Sequence, residues 1–68
     1  MNLTIELDRE ADGRRIAEVP ELNILLYGDS QPNAIQRAKS AAHQILPDRI
    51  AHRKLPPESA EAVFDIAA

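Results

Sequence analysis

The stretch Val19-Pro20-Glu21-Leu22-Asn23-Ile24-Leu25-Leu26-Tyr27-Gly28-Asp29-Ser30 constrains the fold more than any other part of the chain. Pro20 has no amide donor, so it ends a strand or lies at an edge. Leu22 to Tyr27 reads as a short strand, and its consecutive Ile24, Leu25 and Leu26 make both of its faces apolar. Gly28 permits a sharp exit. Ser30 then suits a helix N-cap, with Asp29 beside the positive helix end. A helix that follows covers one face of this strand only. The other face needs a second cover, and a homodimer or partner surface is the simple solution.

The flanking segments fit that frame. Leu3, Ile5 and Leu7 alternate with Thr4, Glu6 and Asp8, the pattern of a strand with one buried face and one wet face. Asp12-Gly13 supplies the positive backbone angles of a tight hairpin. A second strand is predicted over Arg14 to Val19. Its Ile16 faces away from Ala17 and Val19, which implies either a bulge or partial cover on both faces. Pro32 fits a first helical turn. Ile35, Ala38, Ala42 and Ile45, flanked by Ala34, Ala41 and Leu46, recur at helical spacing, and this alanine-rich face can lie close to a sheet. Gln36, Arg37, Lys39, Ser40, His43 and Gln44 make much of the wet side. Pro47 is expected to break or kink the helix, with Asp48 to Arg53 adding a turn or two and Ile50 inward. Pro56-Pro57 marks a connection. Ala62 to Ala67 reads as a last strand with Phe64 and Ile66 on one face. A helix over Glu58 to Ile66, capped by Ser59, is the alternative. The expected fold is α+β with the order β-β-β-α-β: an antiparallel three-stranded meander, a crossover helix and a fourth strand parallel to the first.

At 68 residues the chain is one domain, residues 1–68. A domain this small buries only about 60% of its unfolded surface, so a partner is a natural source of further stability. Cysteine is absent, which excludes disulfides and cysteine-based zinc sites. No apolar run reaches a membrane-spanning length and no secretory signal is visible, so a cytoplasmic location is the default. The net charge is −3, and seven of the eleven acidic residues (Glu6, Asp8, Glu10, Asp12, Glu18, Glu21, Asp29) lie in the first 29 positions. That half repels phosphate backbones and attracts basic proteins. A solvated rim on a small sheet is the plainer explanation of the same charges.

The strings Ala17-Glu18-Val19-Pro20-Glu21-Leu22 and Tyr27-Gly28-Asp29-Ser30, followed by Ala34, resemble the HicB-like family, and Lys54-Leu55-Pro56 resembles that family's exit to its last strand. The motif residues are Ala17, Val19, Pro20, Glu21, Leu22, Tyr27, Gly28, Asp29, Ser30 and Ala34. The resemblance implies a partial ribonuclease H fold. It also implies an antitoxin that binds and occludes HicA, a small basic ribonuclease that cleaves messenger RNA. Glu18, Glu21, Ile24, Leu25 and Leu26 are the candidate partner interface. The family's Pro-Gly after Pro-Glu-Leu is absent here, which predicts a different turn. Asn33 replaces an acidic residue near the helix start, which predicts a weaker capping box. With no DNA-binding module after Ala68, operator binding by this chain is not expected. A self-associating domain without a toxin is the alternative function.

Catalytic chemistry finds little support. Asp8 near the end of the first strand and Asp65 on the last are the candidates for a carboxylate metal site, but the helix from Gln31 to Leu46 offers no third acid. His43 and His52 lack the spacing of a helical metal pair. Ser30, Ser40 and Ser59 fit as cap, wet face and turn, and Gly13 and Gly28 form no phosphate loop. Arg49, His52, Arg53 and Lys54 fit a solvated helix C-terminus, and Tyr27 and Phe64 alone are too few aromatics for base stacking. The expectation is a non-enzymatic protein without cofactor or metal, forming a homodimer or higher homo-oligomer or binding a HicA-like toxin.

Overall fold

The computed structural model describes residues 1–67. Strands β1 (Asn2–Arg9), β2 (Arg15–Val19) and β3 (Ile24–Gly28) are followed by helix α1 (Gln31–Ala51) and strand β4 (Val63–Ala67). The sheet order is β3-β2-β1-β4. The first three strands pair antiparallel and β4 runs parallel to β1. The fold is therefore the α+β arrangement expected from the sequence, with a strand rather than a helix at its end. No helix of the described residues is long and apolar enough to cross a membrane.

Strand alternation puts Leu3, Ile5, Ala17, Val19 and Ile24 on the face beneath α1, where all are buried. The helix answers with Ala34, Ala38, Ala42 and Leu46, a strict four-residue stripe. Ile35, Ala41 and Ile45 pack only partly against it, so the buried face is centred one position from the expected Ile35–Ile45 line. Three alanines in the stripe let the helix axis approach the sheet closely. Phe64 and Ile66 align with Leu3 and Ile5 and share that face, as their spacing predicts.

Several local expectations are corrected. The hairpin is wider than a two-residue turn: Gly13 N–H donates to the Glu10 carbonyl at 3.0 Å and Glu10 N–H to the Arg14 carbonyl at 2.8 Å. Ala11 and Asp12 occupy the centre, and only Gly13 has a positive φ, +94°. This is a three-residue loop, a type I turn closed by a left-handed glycine. Strand β2 has no bulge; its pairing is one-to-one on both sides, and Ile16 is half-buried on the face away from the helix. Strand β3 starts at Ile24, because Pro20–Leu22 forms a single 3-10 turn and Asn23 takes the left-handed conformation at φ 56°. Asn23 thus supplies alone the turn that the missing Pro-Gly leaves open. Asparagine tolerates that conformation better than most residues.

Helix α1 is continuous through Pro47. A proline there removes one intrahelical hydrogen bond and crowds the preceding turn. Anchors on both sides of it offset that cost. Leu46 is buried, and the Arg49 guanidinium donates to the Leu22 carbonyl at 3.0 Å. At about 31 Å the helix is longer than the five-residue strands, so its last turns need such a tie. It ends with Arg53 N–H on the Ile50 carbonyl and Lys54 N–H on the Arg49 carbonyl, with Arg53 at φ 59°. That is a Schellman cap with arginine in the place glycine usually takes.

Candidate functional site

All of the helix lies on one side of the sheet, so the opposite face has no covering element. Alternation assigns that outer face: Asn2, Thr4, Glu6 and Asp8 from β1, Ile16 and Glu18 from β2, Leu25 and Tyr27 from β3, and Val63, Asp65 and Ala67 from β4. Leu25 is 50% exposed, Tyr27 38% and Val63 56%, so apolar surface lies open on both edge strands. Between these edges the face is acidic. Glu6 and Glu18 stand directly opposite each other on neighbouring strands, with Leu25 next to Glu18 in the same row. Like charges placed this way destabilise a sheet. Among the described residues no ion pair involves Glu6, Asp8, Glu18 or Asp65. Arg14, at the hairpin corner, brings a cation to the rim of the face. Its guanidinium lies 4.6 Å from the centre of the Tyr27 ring while its Nε bonds Asp12 at 2.9 Å.

The structure divides the expected interface residues between the two faces. Glu18 and Leu25 lie on the outer face. Ile24, 6% exposed, and the half-buried Leu26 pack under the helix and belong to the core. Glu21 serves the fold itself. Both of its carboxylate oxygens accept the Thr4 N–H at 3.1 Å, on the side of β1 that β2 has left by turning away at Pro20. Desolvation raises the Glu21 carboxyl, but hydrogen bonds from its own amide and from Thr4 outweigh it, so its pKa lies below the ordinary value. At the hairpin the Arg14 N–H lowers the Asp12 pKa; desolvation opposes this, and the Arg14 side chain adds to the lowering.

The motif residues that carry the family resemblance also hold the structure together. Ala17, Val19 and Leu22 fill the core. The Ser30 hydroxyl accepts Asn33 N–H at 3.2 Å, and the Asn33 carboxamide accepts Asp29 N–H at 3.2 Å. Asn33 thus completes a reciprocal cap one residue upstream of the usual box, which corrects the expected weakening. Gly28 is required by proximity rather than by backbone angle. A Cβ there would lie 2.5 Å from the Ala34 nitrogen and 2.8 Å from its Cα. Gly28 and Ala34 are therefore one contact, where the helix start rests on the strand end. Tyr27 contributes its ring to the outer face and its carbonyl to Arg37, which donates to it at 2.8 Å.

Asp8 and Asp65 share the outer face but sit in different rows, Asp8 opposite Ile16 and Asp65 beside Thr4. No group of three metal-ligating side chains occurs among the described residues. His43 packs edge-on against the Phe64 ring at 5.8 Å, and His52 pairs with Asp48 at 3.5 Å, so the two histidines do not meet. Sequence reasoning missed Glu6, Asp8, Ile16 and Tyr27 as members of the face. The signal that places them is hairpin register: pairing symmetric about Asp12 sets Glu6 against Glu18 and Asp8 against Ile16. Comparisons with protein-family models, curated proteins and solved structures give no match.

Proposed function

We propose that the protein is a protein-binding module whose open sheet face receives a small basic partner, in the way a HicB antitoxin occludes a HicA-like mRNA-cleaving toxin. The observation that carries this is the Glu6–Glu18 opposition beside exposed Leu25 and Tyr27 on a face no other element covers. The repulsion between those carboxylates lowers the stability of the free protein. A lysine or arginine inserted between them relieves it, and Leu25 and Tyr27 supply apolar area around the contact. Opposite charge also accelerates encounter. The residues we assign to binding are Glu6, Glu18, Leu25 and Tyr27, with Ile16 beneath them. Coexpression with the product of a neighbouring reading frame that encodes a small basic protein tests the proposal. Co-purification and relief of that protein's growth arrest are expected; failure of both overturns the antitoxin reading.

A second reading, a self-associating domain with no toxin, rests on a different observation. Strand β4 is a sheet edge, and Val63 and Ile66 on it are 56% and 51% exposed. A second copy docked on the outer face sets one acidic face against another, so self-association by the β4 edge is the better alternative. Sedimentation of the purified protein separates the two: a monomer at micromolar concentration rejects self-association, and a stable dimer that ignores basic proteins favours it.

A further inference from the structure

The helix side of the sheet carries a second like-charge opposition, of the other sign. Arg9 and Arg15 are direct partners across β1 and β2, and alternation with Leu7 and Ala17 puts both on the side of α1. Together with Leu7, Asp8 and Gln31 they line a cavity of about 290 Å³ beside the start of the helix. Among the described residues neither guanidinium has an ion-pair partner: the carboxylate of Asp12 pairs with Arg14, and that of Asp48 with His52. Asp8 borders the cavity, but alternation sends its side chain to the outer face, where its Oδ1 accepts the Arg9 N–H at 2.7 Å. Arg15 is half-buried, and among the described residues no carboxylate pairs with it.

We propose that Arg9 and Arg15 form a binding site for a phosphoryl group. Side chains directly opposite on antiparallel strands start about 5 Å apart at Cβ, a separation that lets two planar guanidinium forks meet one tetrahedral dianion. Arginine suits this better than lysine because each fork donates two parallel hydrogen bonds. At the helix start Gln31 lines the cavity, and the three residues after it offer no free N–H. Pro32 has no N–H, Asn33 N–H is taken by Ser30 Oγ, and Ala34 N–H is taken by the Ser30 carbonyl at 2.9 Å. The arginines therefore carry the binding. The site is on the opposite side of the sheet from the acidic face and is independent of the function proposed above.

Titration of the isotope-labelled protein with inorganic phosphate, followed by amide NMR at constant ionic strength set with chloride, tests the site. Saturable shifts confined to Leu7–Arg9, Arg15 and Gln31 are expected, and Arg9→Gln with Arg15→Gln lowers the affinity about tenfold or more. Arg15→Lys keeps the charge and loses the fork, so it weakens binding severalfold. Arg53→Gln, at the far basic end, leaves binding unchanged. Adenosine monophosphate in place of phosphate separates the sources: tighter binding identifies a phosphate monoester, and equal binding identifies free phosphate. Both substitutions keep a long polar side chain and remove a repulsion, so the variant's melting temperature without phosphate stays at or above that of the wild type. Absence of saturable shifts, equal affinity in the double variant, loss of binding in Arg53→Gln, or succinate binding as tightly as phosphate each overturns the proposal.

Discussion

Gly28→Ala tests how the strand-to-helix junction is built. The added methyl would lie 2.5 Å from the Ala34 nitrogen, 2.8 Å from the Ala34 Cα and 2.8 Å from the Asn33 Oδ1. Two of these are backbone atoms, which cannot rotate away, so the first turn of α1 must lift from the end of β3. Overpacking of this kind costs about 1–3 kcal/mol. Displacing Asn33 also loosens its bond to Asp29 N–H, and loss of a helix cap costs about 1 kcal/mol. Against this, alanine reduces the freedom of the unfolded chain and stabilises by about 0.4–1 kcal/mol. The net expectation is a loss of about 2 kcal/mol, a large part of the roughly 3–10 kcal/mol that a domain of this length possesses. Thermal melting followed by far-UV circular dichroism should show a midpoint lower by roughly 8–16 °C. A midpoint within about 2 °C of the wild type, or above it, refutes the reasoning, because it means the helix is free to move and Gly28 is not held by contact.

Two further predictions concern single interactions. Glu21 has a folded-state pKa below its ordinary value, so its stabilising bond to Thr4 is fully present above the usual carboxylate range and is lost as pH falls through the folded-state value. Glu21→Gln keeps an acceptor and loses the titration, so urea denaturation should show the wild type more stable at neutral pH by up to about 1 kcal/mol, with the difference vanishing as pH falls through the folded-state value. Arg53 holds a left-handed backbone at the helix C-terminus at some cost, and Arg53→Gly should raise the unfolding free energy by about 1 kcal/mol in the same assay.

The fold was legible where a local pattern coincided with its structural cause. Leu3, Ile5 and Leu7 alternate because one face of β1 lies under the helix, and Ser30 reads as a cap because capping is a short-range bond. That the Ile24, Leu25 and Leu26 run cannot all face the helix was legible too, and Leu25 is the one that points away. What stayed hidden depends on contacts between distant segments. Pro47 reads as a breaker, yet the Arg49 bond to Leu22 holds the helix together beyond it. Gly28 reads as a flexible exit, yet it is defined by the approach of Ala34. Glu21 reads as an exposed acid, yet it accepts the Thr4 N–H on the side of β1 that β2 leaves unpaired. Ile24 and Leu26 were grouped with Leu25 because adjacency in sequence says nothing about which face each residue takes until the register is known. The oppositions of Glu6 with Glu18 and of Arg9 with Arg15 follow from one hairpin register, which the Asp12-Gly13 pair places only once the turn's length is settled.

Whether the outer face receives a partner is tested most directly by calorimetric titration of the protein with a small basic protein from a neighbouring reading frame, comparing the wild type with Leu25→Asn. Leu25 is half exposed and on the face away from the core, so the substitution leaves the fold intact. Submicromolar binding by the wild type, weakened about tenfold or more in Leu25→Asn and falling with added salt, is the predicted result. Absence of binding, or equal affinity for the two proteins, contradicts it.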